Sequence, residues 1–317
     1  MEIALIKSYT EKPWRSPETY HLIEESLSEK WDTKSIHTCS SEILHNFLSG
    51  LQQTYGDSFF AFNIAEYLDE DSKGGFLPAM LDKWNIPHLG SSAEAIAIGL
   101  DKARTKMLLN ENQIPTPRFF VADRATDLEL HAKKIGYPLI VKPISEGGHI
   151  GINEDSIVYD TGSLANVVDR INNQLDQPAI VEEYITGEGM REFSVGIIDG
   201  VEKLFTPIEI DYESMGDNIE ILSYEAAEKD LERIKLVQDK KIRDEIIDLA
   251  ERTFNAVGAS DYSRVDIRMN ETGYYVLEIN TMPGLGPHSF LPEAAKAIHS
   301  LEYNQFIQKL AEISIKK

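Results

Sequence analysis

Arg264, Asp266 and Arg268 alternate with Val265 and Ile267. That period of two puts three charged side chains on one face of a strand and the apolar pair on the other. After the turn residues Asn270–Gly273 comes a second run, Tyr274–Asn280, in which Glu278 and Asn280 share a face. Folding the two runs into a hairpin brings Asp266 close to Glu278 and Asn280. Three hard oxygen donors converging on one spot suit Mg²⁺ held between protein and phosphates. Arg264 beside them is suited to neutralise charge on a transferring phosphoryl group or a tetrahedral intermediate. A solvated polar hairpin face is the plainer alternative. The continuation Leu277-Glu278-Ile279-Asn280-Thr281, with Pro283-Gly284 next, weighs against it.

Two lysines are candidates for phosphate groups. Lys142 ends the apolar run Leu139-Ile140-Val141 and precedes Pro143 and the loop Ser145–Gly151. An unpaired lysine in such a strand is costly to bury, so it requires an anion or a carboxylate. The backbone at Gly147, Gly148 and Gly151 can close over phosphates without side-chain clash. Lys102 sits on a helix before a linker and, taken alone, reads as a solvated lysine. Neither a GxxxxGK[ST] loop nor a GxGxxG turn after a strand is present, so a nucleotide must be held some other way.

The elements that would position these residues form an α/β pattern, α+β in part. Ile3–Ile6 reads as a first buried strand. Ser16-Pro17-Glu18 reads as a helix start with Ser as cap and Pro in the first position. A strand near Ser35–Thr38, a helix near Glu42–Gln52 and the apolar run Phe59–Asn63 continue the alternation, which suggests a parallel sheet. Asp69–Gly75 reads as a polar loop. Leu77–Lys83 is a short helix leading through Asn85-Ile86-Pro87 into a further strand, and Ala93–Asn110 is one helix containing Asp101 and Lys102. Pro115 and Pro117 mark a linker. Strands at Leu139–Pro143 and Ala179–Tyr184 flank a helix, Ala165–Leu175. Strands at Glu192–Ile198 and Val201–Ile210 then precede a polar loop, Asp211–Glu228. A long helix capped by Gly258, the hairpin, and a helical Ala294–Ile315 complete the chain.

The 317 residues suffice for two or three units with real cores. No apolar run approaches the ~20 residues that span a bilayer. The start Met1–Lys7 is too soon charged for a signal peptide, so a cytoplasmic location is expected. Cys39 is the single cysteine, which excludes an intrachain disulfide and a cysteine zinc site; it reads as a small core or edge residue, and His45 and His131 as surface residues. The formal charge of −22 disfavours nucleic acid and anionic membranes as partners.

Several motifs, in order, resemble the D-alanine–D-alanine ligases. They are Asp101-Lys102 with Lys106; Ile114-Pro115-Thr116-Pro117; Tyr137-Pro138-Leu139-Ile140-Val141-Lys142-Pro143; Val181-Glu182-Glu183-Tyr184-Ile185; Tyr262-Ser263-Arg264-Val265-Asp266; and Leu277 through Gly284. The likeness covers about residues 80 to 295, with a weaker match at Ser16-Pro17-Glu18. It implies a three-part ATP-grasp architecture: an N-terminal α/β (preATP-grasp) domain over 1–95, a central subdomain over 96–184, and a C-terminal subdomain over 185–317 carrying the hairpin. It implies that Lys102 and Lys142 bind ATP phosphates, that Glu182 and the backbone of Glu183, Tyr184 and Ile185 bind adenine, and that Glu192 binds ribose. Asp266, Glu278 and Asn280 would hold Mg²⁺, as two ions, with Mn²⁺ a possible substitute. Arg264 and the Gly284 amide would stabilise the acyl-phosphate and tetrahedral intermediate. Ser289 would grip the second amino acid's carboxylate, and Glu18 would meet the first one's amine. Small-molecule amino acids as substrates and a homodimer follow from the same resemblance.

The chain departs from the family pattern on the substrate side. His149 replaces the second serine of a Gly-Ser-Ser-x-Gly loop, and is read either as an acid–base or substrate-binding group or as a loop filler contacting phosphate. Glu228 stands where a loop tyrosine is expected, with Lys229 near the family's γ-phosphate lysine. The turn Thr186–Arg191 is longer, and the N-terminal Gly-Gly turn is absent. The expectation is retained activation chemistry: a ligase making D-alanyl-D-alanine, or a relative making another dipeptide or specialised metabolite. A non-catalytic ATP-binding module is the remaining alternative.

Overall fold

A computed structural model describes residues 1–10, 12–70, 72–215, 221 and 233–316. Strand β1 (Glu2–Lys7) pairs in parallel with β2 (Asp32–His37) on one side and β3 (Phe59–Asn63) on the other. β1 and β3 are covered on both faces, which is why they read as nearly unbroken apolar runs. Helix α1 (Pro17–Ser28) starts as its sequence dictates: the Ser16 side chain accepts from the Thr19 amide. Helix α2 (Ser41–Tyr55) follows. Cys39 is exposed just beyond β2, which is an edge strand, and not in the core. The segment expected as a polar loop carries a two-stranded antiparallel ribbon, β4 (Tyr67–Asp69) with β5 (Gly74–Phe76). After α3 (Leu77–Lys83), a single bridge between Ala61 and His88 stands where a further strand was expected.

The helix expected over Ala93–Asn110 is broken in two, α4 (Ala93–Leu100) and α5 (Lys102–Glu111). Asp101 is extended, and its carboxylate accepts from the Ala103 and Arg104 amides, capping α5. Satisfying orphan amides outweighs continuing the helix. The break makes Lys102 the first residue of α5, and its amide bonds the Ile144 carbonyl at 3.1 Å.

Strands β6 (Phe119–Ala122), β7 (Leu139–Pro143), β8 (Ile157–Val158) and β9 (Ala179–Glu183) form a sheet in the order β6-β9-β7-β8. Helices α6 (Leu128–Ile135) and α7 (Thr161–Gln174) supply Ala132, Leu164, Val168 and Ile171 to its core.

The last sheet has β10 (Arg191–Asp199), β11 (Lys203–Ile210), β12 (Ile234–Leu236), β13 (Tyr262–Asn270) and β14 (Gly273–Asn280), in the antiparallel order β12-β11-β10-β13-β14. A short helix, α8 (Tyr212–Met215), follows β11. Helix α9 (Lys240–Val257) covers one face through Ile246, Leu249 and Phe254, which meet Val195, Val265 and Ile267. It is capped by Asp239 and ended by Gly258 in the left-handed region. Helix α10 (Phe290–His299) approaches the opposite face, and α11 (Tyr303–Ile315) returns to pack on α1. Among the described residues no helix is long and apolar enough to cross a membrane.

Gly196 of β10 sets how near α10 lies. A β-carbon there would stand 2.2 Å from Leu291 Cδ1 and 2.3 Å from Thr206 Oγ1. Gly196→Ala is expected to cost about 1–3 kcal/mol by overpacking, read from urea denaturation. A cost within ~0.5 kcal/mol, the range of an ordinary surface change, would mean that α10 moves freely.

Candidate active site

A cleft open to solvent is lined from both the second and the third sheet. One wall comes from β7 and β9. Ile140 of β7 lies opposite Glu182 of β9, and Lys142 reaches back across the pair to bond Glu182 Oε2 at 3.1 Å. Lys106 of α5, fully buried, comes to 3.5 Å from the same oxygen and donates to Thr116 Oγ1 at 2.8 Å. The carboxylate required by Lys142 is therefore Glu182, and it serves two lysines. Burial alone would push the Glu182 carboxyl up; Lys106 and Lys142 outweigh it and hold it below its usual range. Burial pushes the Lys106 ammonium down to about 8 against the pull of Glu182. The other oxygen, Glu182 Oε1, is buried without a partner among the described residues. Such a group requires a donor, and it lines the cleft.

Beyond Glu182 the backbone is partly committed. The Glu183 amide donates to the Arg118 carbonyl at 2.8 Å and the Tyr184 amide to the Pro138 carbonyl at 3.1 Å. The Glu183 side chain turns outward to Arg118. Two of the three amides in the stretch expected to meet adenine, Glu183–Ile185, are therefore bonded inside the fold. Glu192 is held by Arg268, which sequence reading left without a role. Arg268 Nε lies 2.8 Å from Glu192 Oε2, Nη1 lies 3.3 Å from the Ile185 carbonyl, and the guanidinium sits 4.9 Å from the centre of the Tyr184 ring. The Tyr212 hydroxyl also donates to Glu192 Oε2 at 3.0 Å. Burial would lower the Arg268 pKa, but Glu192 and the neighbouring tyrosines raise it.

The facing wall is β13 and β14. Arg264 lies opposite Asn280, and Asp266 opposite Glu278. Between Asp266 and Ile267 the register slips, so that Ile267 pairs with Val276 and Leu277 is the extra residue of a β-bulge. In a regular strand Val276 and Glu278 would share a face; the bulge lets Val276 enter the core while Glu278 faces the cleft. Arg264 makes a two-pronged pair with Asp266, at 3.0 and 2.9 Å, and lies over the Phe290 ring. Ser194 Oγ donates to Asp266 at 2.7 Å, and Asn280 Nδ2 lies 3.0 Å from Asp266 and 3.5 Å from Glu278. Burial would raise the Glu278 carboxyl; Lys102, Lys142, His149 and Arg264 outweigh it and hold it at about 2. Lys102 Nζ is 3.8 Å from Glu278 and donates to the Glu146 carbonyl at the start of the glycine loop.

The remaining expected residues fall as follows. His149 lines the cleft with a left-handed backbone (φ 60°) directly after Gly148 (φ 60°). Gly284 and Ser289 lie side by side next to Trp14. Glu18 is exposed in the first turn of α1 and does not line the cleft. Lys229, with Tyr224 to Glu228, lies outside the described residues.

No group of three His, Cys, Asp or Glu side chains arranged for a metal ion occurs among the described residues. The expected set has two carboxylates, and its third oxygen would be the Asn280 amide, which presents its nitrogen to both of them. Rotating that amide by half a turn exchanges its oxygen for its nitrogen. A hard-oxygen set with one carboxylate ionised down to about pH 2 fits Mg²⁺, which takes few protein ligands and completes its shell with phosphate or water.

Comparison with known proteins identifies the family. The family described as D-ala D-ala ligase C-terminus matches residues 108–312. The D-alanine–D-alanine ligase of Hydrogenovibrio crunogenus is 30% identical over 242 residues, 76% of this chain and 74% of that one. The ligase of the same name from Pediococcus pentosaceus is 36% identical over 238 residues, 72% of this chain and 62% of its own length. The crystal structure of the D-alanine–D-alanine ligase from Bacillus anthracis complexed with ATP superposes with a TM-score of 0.79 at 23% identity, covering 100% of this chain and 98% of that one. The match extends across the wall that carries Lys142 and Glu182 and the wall that carries Arg264 and Glu278, and on that ground the chain belongs to the D-alanine–D-alanine ligase family, with its ATP-grasp fold.

Proposed function

We infer that the chain is an ATP-dependent carboxylate–amine ligase that forms a peptide bond through an acyl-phosphate, with D-alanine as both substrates. The observation that carries this reading is one cleft with two differently equipped ends. Glu182, with an orphaned buried oxygen, and the braced Glu192 suit a nucleoside; Glu278, Arg264 and two lysines suit its phosphates. Glu182 and the backbone of Glu183, Tyr184 and Ile185 take adenine, Glu192 the ribose, and Lys102 and Lys142 the phosphates, with Lys229 at the γ-phosphate. Asp266, Glu278 and Asn280 hold Mg²⁺, as two ions, with Mn²⁺ a substitute; when bound the metal neutralises phosphate charge. The first carboxylate attacks the γ-phosphate and ADP leaves. The second amine then displaces phosphate while Arg264 and the Gly284 amide stabilise the oxyanion. Ser289 takes the second carboxylate. Glu18, on the helix that begins beside Trp14, takes the first amine. The unit division 1–95, 96–184 and 185–317, a homodimer and a cytoplasmic location belong to the same reading.

The test is ADP release with Mg²⁺-ATP and D-alanine, with products identified by mass spectrometry. ADP together with D-alanyl-D-alanine is expected. Turnover with a different amino-acid pair would move the chain to a relative with another product, a reading that His149 at the cleft favours. No amino-acid-dependent ADP at all would favour a non-catalytic ATP-binding module. His149→Ser is expected to change amino-acid preference more than the KM for ATP. Equal losses with every amino acid would assign His149 to phosphate contact or loop structure instead.

A further inference from the structure

We propose that Trp14 is a specificity-determining wall of the amino-acid pocket, restricting it to substrates with small side chains; this rests on the ligase reading above. Trp14 lies in the one-turn 3-10 segment Pro13–Arg15. Its ring spans the two backbone segments that would flank the reacting carboxylate. A β-carbon on Gly148, in the glycine loop, would stand 3.2 Å from Trp14 Cζ2 and 3.4 Å from Cη2. A β-carbon on Gly284 would stand 2.7 Å from Trp14 Cβ, 3.0 Å from Cγ and 3.1 Å from Ser289 Oγ. The indole therefore bridges from the loop carrying His149 to the strand exit carrying Gly284 and Ser289. Gly284 has no left-handed backbone requiring glycine; what excludes a side chain there is Trp14 itself.

The wall is anchored. Arg15, next in sequence, is buried and paired with Glu66 and with Glu70 (2.7 Å) beside the β4–β5 ribbon. The Thr10 amide bonds the Arg15 carbonyl at 3.2 Å, and the Arg15 amide bonds the Lys12 carbonyl at 3.0 Å. The glycine loop is anchored from the other side: Glu146 receives Lys73 at 2.6 Å and Gln177 at 2.8 Å. An aromatic plate held between two tethered segments has little freedom to yield to a bulky substrate side chain. A small one passes, and discrimination follows from volume.

Trp14→Ala and the milder Trp14→Leu should be assayed beside the parent chain by ADP release. The amino acids are D-alanine, D-valine and D-phenylalanine, at saturating Mg²⁺-ATP, with melting temperature as the check on folding. The expected result is a rise of about tenfold or more in kcat/KM for the larger amino acids relative to D-alanine. Trp14→Leu should shift less than Trp14→Ala, and the KM for ATP should change less than the amino-acid preference. If Trp14→Ala does not fold, Trp14→Leu alone decides. Unchanged relative preferences in a folded, active variant overturn the proposal and leave the ligase reading standing. A loss that is equal for all amino acids overturns it too. Absence of amino-acid-dependent ADP release by the parent chain overturns both.

Discussion

Glu278→Ala is expected to lower turnover by roughly 10³-fold or more while leaving the chain folded, on the scale of several kcal/mol of transition-state charge stabilisation. Glu278 is the carboxylate nearest Lys102, at 3.8 Å, and it lies opposite Asp266 across the hairpin. Asp266 alone does not make up for it, because its two oxygens are shared with Arg264 and the set would be left with one carboxylate instead of two. Lys102 and Lys142 foremost outweigh burial and hold Glu278 ionised down to about pH 2, so the charge is present throughout the working range. Glu278→Gln, which keeps an oxygen but no charge, should fall between the parent and Glu278→Ala. Steady-state ADP release, with the melting temperature of each variant, decides the matter. Near-normal turnover in folded Glu278→Ala would remove this residue from the metal and phosphate set.

The second large effect is on stability. Glu182→Ala leaves Lys106 and Lys142 buried side by side without their shared carboxylate, and breaking a buried pair in this way costs about 3–5 kcal/mol. The pH dependence has a definite sign. Lys106 titrates at about 8 in the folded chain against 10.5 for a free lysine, so above pH 8 the unfolded state binds more protons and stability rises with pH until 10.5. Without Glu182 the folded value falls further, so in the variant that rising window opens below pH 8. Adding Lys106→Met should recover part of the loss, because it removes one of the two stranded charges while Lys142 stays without its carboxylate. Urea midpoints between pH 6 and 10, about two units either side of the folded Lys106 value, measure this. A loss below ~1 kcal/mol, the size of an exposed pair, would mean that water reaches the cluster.

Much of the site was legible because local patterns dictate it. The alternation through Arg264, Val265, Asp266, Ile267 and Arg268 specifies a strand with one core face, and Val265 and Ile267 are fully buried. Ser16 before Pro17, and Gly258 after an apolar helical face, mark helix ends by backbone chemistry alone, and both caps form. An apolar strand ending in Lys142 demanded a counter-charge, since burial without one is prohibitive.

Tertiary structure decided the rest. Leu277 as a bulge is invisible in a run that reads as a regular strand; it arises because Val276 and Ile279 must both reach the core while Glu278 faces the cleft. The break at Asp101 reflects a capping bond that competes with helix continuation, and it turns Lys102 toward the glycine loop. Lys106 stands four residues after Lys102 and has no role in the sequence alone; Glu182, from a strand far along the chain, gives it one. Arg268 read as one more charge on a face, yet burial commits it to Glu192 and Tyr184. Trp14 carried no signal at all, because its neighbours Gly148 and Gly284 come from distant segments. Sequence by itself determined which residues face together along one element, since that follows from backbone periodicity. Which charges share a partner, and which ring closes the pocket, depends on long-range packing that no local pattern encodes.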